Sequence, residues 1–249
     1  MPTRHTLPAA DGERVVAVHH APEGGDAPAG PDGTEPWLVF CHGFLSDKSG
    51  SYEGRCRRAA SEGYHAVRFD FRGCGEADGD FVDQTLSDKV IDLRTVVSHF
   101  DPPSVVLFGS SFGAKVAFHA LEELAADGSP VEALAARAPV TDNHTFVEAR
   151  REVEREGSLT FETGQTVDDR FFTDLEAHPF ADAVDTVDCP VLLVHGSEDE
   201  SVDIADSFEA AAALETDVVL EKVRGEGHRF SEATEERLRA RLFAWLATV

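Results

Sequence analysis

Lysine is scarce in this chain, occurring only at Lys48, Lys89, Lys115 and Lys222. Basic residues together number 22 against 47 acids, a formal net charge of -25 at pH 7, and the acids run along the whole chain instead of gathering in a tail. So even an acidic coat repels phosphate backbones and anionic lipid, which excludes nucleic acid and acidic membrane surfaces as expected partners. Long apolar runs are also missing. No stretch approaches the length that spans a bilayer, and no opening apolar run resembles a signal peptide, so a soluble, cytoplasmic protein is expected. Cysteine is limited to Cys41, Cys56, Cys74 and Cys189, without the C-x-x-C spacing of a zinc or redox site. A reduced compartment fits, and no disulfide framework is called for. With neither a phosphate-binding loop nor metal-ligand spacing, no cofactor and no metal are expected.

What is present is strand-like text alternating with helix-like text. Residues 14–20 (RVVAVHH) read as a strand, hairpinned with residues 3–7 across the turn-forming Asp11-Gly12. Residues 23–36 have the proline, glycine and acid content of a mobile loop. Residues 37–42 (WLVFCH) are continuously apolar, the mark of a strand buried on both faces of a parallel sheet. Further strands are expected at 64–70, 105–108, 131–138, 190–195 and 217–223, with helices at about 52–61, 86–100, 204–214 and 232–248. This rhythm predicts an α/β domain over residues 1–249, a mostly parallel central sheet with helices on both faces. Sites in such sheets form at the carboxyl ends of the strands, which would put His42, Gly43 and Phe44 on the same edge as Ser111.

Between about 141 and 180 the rhythm breaks. Charged helical text over 146–156, a possible hairpin at 157–164 and the aromatic pair Phe171 and Phe172 suggest an insertion lying over the strand ends. As a cap, its apolar residues would line an acyl or leaving-group pocket; the alternative is a surface excursion with a small core of its own.

The densest chemical signal is the run VVLFGSSFGAKVA at 105–117, in which strand text passes through Gly109-Ser110-Ser111-Phe112-Gly113 directly into helix text. A strand that reverses this sharply holds the apex residue in strained geometry and lifts its side chain off the sheet. The flanking glycines are needed because a β-carbon there would collide with a neighbouring strand or helix. Ser111 at the apex is also at a helix N-terminus, where free N–H groups favour negative charge. A serine hydroxyl needs a base within reach and a third group to orient that base. Downstream, each in a loop after an expected strand, come Asp199 in GSED and His228 in GEGH. Glu198, Glu200 and Asp203 are further acids beside Asp199. His42 and His195 are expected to pack or hydrogen-bond locally, Asp70 and Arg72 to brace their turn, and Cys74 to be no nucleophile.

Taken together, CHGF, FDFRGCGEADGDF, the G-x-S-x-G turn, HGSED and the late GEGH resemble the α/β-hydrolase superfamily over essentially the whole chain. More narrowly they look like its feruloyl/cinnamoyl esterase and serine aminopeptidase-like branch. The resemblance implies Ser111 as nucleophile, Asp199 as acid and His228 as general base. It also implies an oxyanion hole from the backbone N–H groups of Phe44 and Phe112. Phe112 departs from the glutamine or small residue of many relatives and should make the acyl entrance more apolar. The expected activity is cofactor-free hydrolysis of a small-molecule ester through an acyl-enzyme. Amide, peptide or thioester cleavage by the same triad and a non-catalytic ligand-binding role are the alternatives.

The acidic coat resembles proteins that work in concentrated salt, where screening removes the self-repulsion of the compact state. The unfolding temperature is therefore expected to rise from low to multimolar KCl in thermal melts; a flat response would remove the halophilic reading.

Overall fold

A computed structural model of the chain describes residues 1–9, 12–24 and 33–249. Asp11 of the expected hairpin turn and residues 25–32 of the expected loop lie outside the described residues. The chain opens with β1 (Thr3–Pro8), β2 (Arg14–His20) and β3 (Trp37–Cys41), then α1 (Ser51–Ser61), β4 (His65–Asp70), α2 (Leu86–Phe100) and β5 (Val105–Ser110). It continues through α3 (Phe112–His119), α4 (Leu121–Ala126) and β6 (Val131–Arg137). The interrupted stretch holds α5 (Val147–Glu156), the small strands β7 (Ser158–Thr160) and β8 (Thr166–Asp168), and α6 (Asp169–Glu176). After α7 (Phe180–Val184) come β9 (Val191–Gly196), α8 (Ile204–Ala213), β10 (Val218–Val223) and α9 (Glu232–Leu246).

Among the described residues the main sheet has the strand order β1-β2-β4-β3-β5-β6-β9-β10. The two outer pairings, β1 with β2 and β2 with β4, are antiparallel, and every pairing from β4 to β10 is parallel. Every residue of β5 and of β9 is buried, as their unbroken apolar text requires of strands covered on both faces. From β3 the chain steps outward through α1 to β4, then crosses back over through α2 to β5, so the winding reverses between β3 and β5. The ends of those two strands flank the crevice where such sheets place a site.

The two faces have separate cores. One packs Tyr52 and Cys56 of α1 with Leu238, Leu242 and Trp245 of α9 against Leu38, Phe40 and Phe108. The other packs α2 and α3 with residues of the interrupted stretch against Val39, Val67 and Leu107. α2 starts at a capping box: the Thr85 hydroxyl accepts from the Asp88 N–H and the Asp88 carboxylate accepts from the Thr85 N–H. It stops at Asp101, in the left-handed region at φ 48 and followed by two prolines.

The expected hairpin of the interrupted stretch is longer than its text suggests. β7 pairs with β8 from Ser158↔Asp168 to Thr160↔Thr166. Gly164, expected at its end, lies in its turn at φ 93, a conformation that a glycine adopts without penalty.

α3 descends onto the sheet with no space for side chains at two positions. A β-carbon on Gly109 would stand 2.3 Å from Ala114 Cα, and one on Gly113 would stand 2.4 Å from the carbonyl oxygens of Cys41 and His42. Backbone atoms cannot give way cheaply, so Gly113→Ala is expected to lose about 1–3 kcal/mol or more of stability in denaturant unfolding.

Candidate active site

Ser111 stands between β5 and α3 at φ 54 and ψ -120, a region that non-glycine residues enter only when their surroundings hold them there. Those surroundings are identifiable. The Ser111 N–H donates to the Arg137 carbonyl at 2.9 Å, and the Ser111 carbonyl accepts from Ala114 and Val140 at 3.0 and 3.2 Å. The residue is 8% exposed, so its hydroxyl lies in a recess and not on an open surface.

The loop after β3 closes on this turn. A β-carbon on Gly43 would be 3.4 Å from Ser111 Cβ and 3.3 Å from the Ser110 carbonyl oxygen. His42 anchors the loop: its Nε2 accepts from the Phe71 N–H at 3.2 Å, so its Nδ1 carries the hydrogen and donates to the Gly43 carbonyl at 2.9 Å. Burial pushes this imidazole down to about 4, which keeps it neutral and keeps both bonds. Phe44 follows, and Phe112 opens α3. Among the described residues neither of their N–H groups has an acceptor, so both donors are free.

At the far side of the sheet edge, His228 Nδ1 donates to Asp199 Oδ2 at 2.8 Å. That bond fixes the tautomer with Nε2 unprotonated and able to accept a proton. The Asp199 side chain is fully buried. Burial by itself would raise its carboxyl, but hydrogen bonds from His195, His228 and the Val202 N–H outweigh it and hold Asp199 well below the usual carboxylate range. Of the four neighbouring acids, Glu198 and Glu200 are exposed and Asp203 caps α8 through the Ala205 N–H. The structure thus joins Asp199 to His228 and Gly43 to Ser111. Among the described residues no hydrogen bond joins Ser111 to His228, a link that in ligand-free hydrolases commonly tightens only when substrate arrives.

The family profile described as the alpha/beta hydrolase family matches residues 38–241. The chain belongs to the alpha/beta hydrolase family. This alpha/beta hydrolase is 30% identical over 223 residues to the Homo sapiens palmitoyl-protein thioesterase ABHD10, mitochondrial, covering 83% of this chain and 71% of that protein. Among solved structures, a putative hydrolase from Agrobacterium vitis S4 superposes with TM-score 0.81 at 25% identity, over 99% of this chain and 98% of that one. Est1E from Butyrivibrio proteoclasticus, solved with ferulic acid bound, shares the fold, with TM-score 0.77 at 20% identity over 98% of each chain.

Other expectations for this alpha/beta hydrolase are met by contacts. Asp70 Oδ1 accepts from the Lys48 N–H at 2.7 Å and its Oδ2 from the Glu76 N–H at 2.8 Å, while Arg72 clamps Asp92 through its backbone N–H and its Nε. Both therefore brace the turn after β4. Cys74 is buried and its thiol is pushed up by that burial, which disfavours the thiolate.

Two features exceed the sequence reading. His195 does more than pack: its Nε2 lies 3.2 Å from Asp199 Oδ2 and 3.1 Å from the Val202 carbonyl. Both partners only accept, so Nε2 carries the hydrogen and Nδ1 accepts from the Ser207 hydroxyl at 2.7 Å. The second is Arg137 at the end of β6, which donates through Nη1 to the His228 carbonyl and lies 3.5 Å from Ser110 Oγ through Nε. One guanidinium therefore ties the residue before Ser111 to the backbone of His228. A charged residue closing β6 after the apolar run Ala133 to Ala136 was the available signal for it.

His195→Phe removes one of the donors that keep Asp199 ionised in the interior. A loss of about 1–3 kcal/mol in unfolding free energy is expected, together with a fall in kcat smaller than that of His228→Ala.

Proposed function

We propose that this chain is a serine hydrolase of carboxylic esters, working through an acyl-enzyme. The observation that carries the reading is the 2.8 Å bond from His228 to the buried Asp199 on the same sheet edge as the strained Ser111 turn. In the proposed reaction Ser111 Oγ bonds to the carbonyl carbon and its proton passes to His228 Nε2. The resulting oxyanion accepts from the N–H groups of Phe44 and Phe112. His228 then protonates the leaving oxygen as its bond to carbon breaks. A water, losing its proton to the same imidazole, releases the acid and restores Ser111. Asp199 keeps the ring oriented and stabilises the imidazolium. Each oxyanion donor is worth on the order of 3 kcal/mol in the transition state. Both are backbone groups, so changing the Phe44 or Phe112 side chain leaves them in place.

The interrupted stretch is proposed as a cap over the acyl side. Its Phe146, Phe161 and Phe171 rings stand 5.2–5.6 Å from that of Phe44, and Phe112 adds contacts to Phe146 and Phe171. Such a surface favours an apolar acyl chain or an aromatic acid. A thioester is the second reading, favoured by the relative named a palmitoyl-protein thioesterase. Cysteines that are all free and buried support a reducing compartment, in keeping with a cytoplasmic location.

A fluorophosphonate probe is expected to label the wild-type protein and not Ser111→Ala; equal labelling of both would refute the assignment. Rates with matched aryl esters, acyl thioesters and aminoacyl amides in high salt then separate ester, thioester and amide cleavage, with the ester expected to be fastest.

A further inference from the structure

A cavity of about 360 Å³ lies between the loop that follows Phe44 and the loop that follows His228, and none of the clustered phenylalanines lines it. Leu45, Ser49 and Tyr52 line it from the first loop and α1, Arg229 and Phe230 from the second, and Arg137 from the end of β6. Arg137 is only 9% exposed. Its Nε and Nη1 are engaged as described above, and its guanidinium stands 5.4 Å from the Phe230 ring. Nη2 makes no hydrogen bond to a described residue. No carboxylate among the described residues comes within ion-pair distance of Arg137.

A guanidinium withdrawn from water normally takes a carboxylate partner, because the desolvated charge is otherwise uncompensated. In a chain with 47 acids and 22 bases the lack of one is not a shortage of acids. The nearby carboxylates are committed elsewhere. Two carboxylates stand on the cavity wall itself: Glu235 is held by two nitrogens of Arg55 at 2.7 to 3.2 Å, and Asp47 by the Ser49 N–H at 2.7 Å, while Asp199 is held by the two histidines. The exposed Arg229 adds a second cation at the wall, and α1 starts there with Gly50 as N-cap, so no side-chain oxygen satisfies its first turn. That helix end adds to the positive potential.

We infer that this cavity receives the leaving group of the substrate and that Arg137, aided by Arg229, binds a phosphate or carboxylate carried on it. The inference rests on the serine-hydrolase reading and adds a substrate class to it: esters of anionic alcohols or thiols. His228 must protonate the departing atom, so that atom leaves on the imidazole side, where the cavity begins at the very next residue. The acyl part is left to the apolar side. A planar guanidinium with a free N–H matches an oxyanion in both charge and shape.

The test compares kcat/KM for three esters of one short acid, with phenol, 3-hydroxybenzoate and 3-hydroxyphenyl phosphate as leaving groups. Wild type is expected to prefer at least one anionic ester to the neutral one, and the larger preference tells whether carboxylate or phosphate is the ligand. Arg137→Gln should reduce that preference about tenfold to a hundredfold, chiefly through KM, and the surface variant Arg229→Gln should reduce it less. Disturbance of the His228 carbonyl affects all three esters alike and cancels in the ratio. An anionic-to-neutral ratio at or below one in wild type would overturn the inference, as would a ratio unchanged in the variants; if Arg137→Gln does not fold, Arg229→Gln decides. Absence of turnover of the phenyl ester by wild type would remove the hydrolase reading itself, whereas turnover without anion preference removes only this inference.

Discussion

The structure depends on one close approach, the seating of α3 on the ends of β3 and β5. Gly109 leaves room for the helix backbone and Gly113 for the carbonyls of Cys41 and His42, so helix and sheet meet at backbone distance. Nothing but glycine fits at either point. With both contacts in place, the connection has a single residue in which to reverse, and that residue is Ser111 in left-handed geometry. The parallel register then does the rest. Cys41 pairs with Gly109 and Ser110 with Arg137, which brings the His42 loop to one side of the serine and the end of β6 to the other.

Around this point the two flanks are chemically unlike. On one, Phe146, Phe161 and Phe171 of the interrupted stretch meet Phe44 edge-on or tilted, an apolar cluster that cannot solvate charge. The other holds Arg55, Arg137, Glu235 and Ser110 in a buried polar cluster whose charges do not fully cancel. An ester has the same asymmetry, with an acyl part and a departing part, and in the proposed reaction a tetrahedral centre at Ser111 sends them to different flanks.

Much of this was legible in the text. The apolar run of β3 announced a strand buried on both faces of a parallel sheet, and the shorter runs of β5 and β9 read as strands of the same sheet. The G-x-S-x-G turn was legible because its constraint is local, set by residues within five positions of one another. His195 was not: its text suits a buried strand end, and its contact with Asp199 depends on how the loop after β9 folds back. The hairpin of β7 and β8 was misjudged because Gly164 reads equally well as a terminus or as a turn.

By itself, then, the amino-acid sequence determined the order of the main strands and helices, the position of the sharp turn and the small set of candidate side chains for the proposed chemistry. These rest on periodicity and on steric limits that act over a few residues. Tertiary structure decided the contact itself: that Asp199, which the motif resemblance had singled out, meets His228 across 29 residues while its neighbouring acids do not, and that Arg137 reaches the His228 carbonyl across 91. Partners so far apart are chosen by strand order and by the burial that sets the cost of leaving a charge unmatched, and neither is written in any local stretch of the chain.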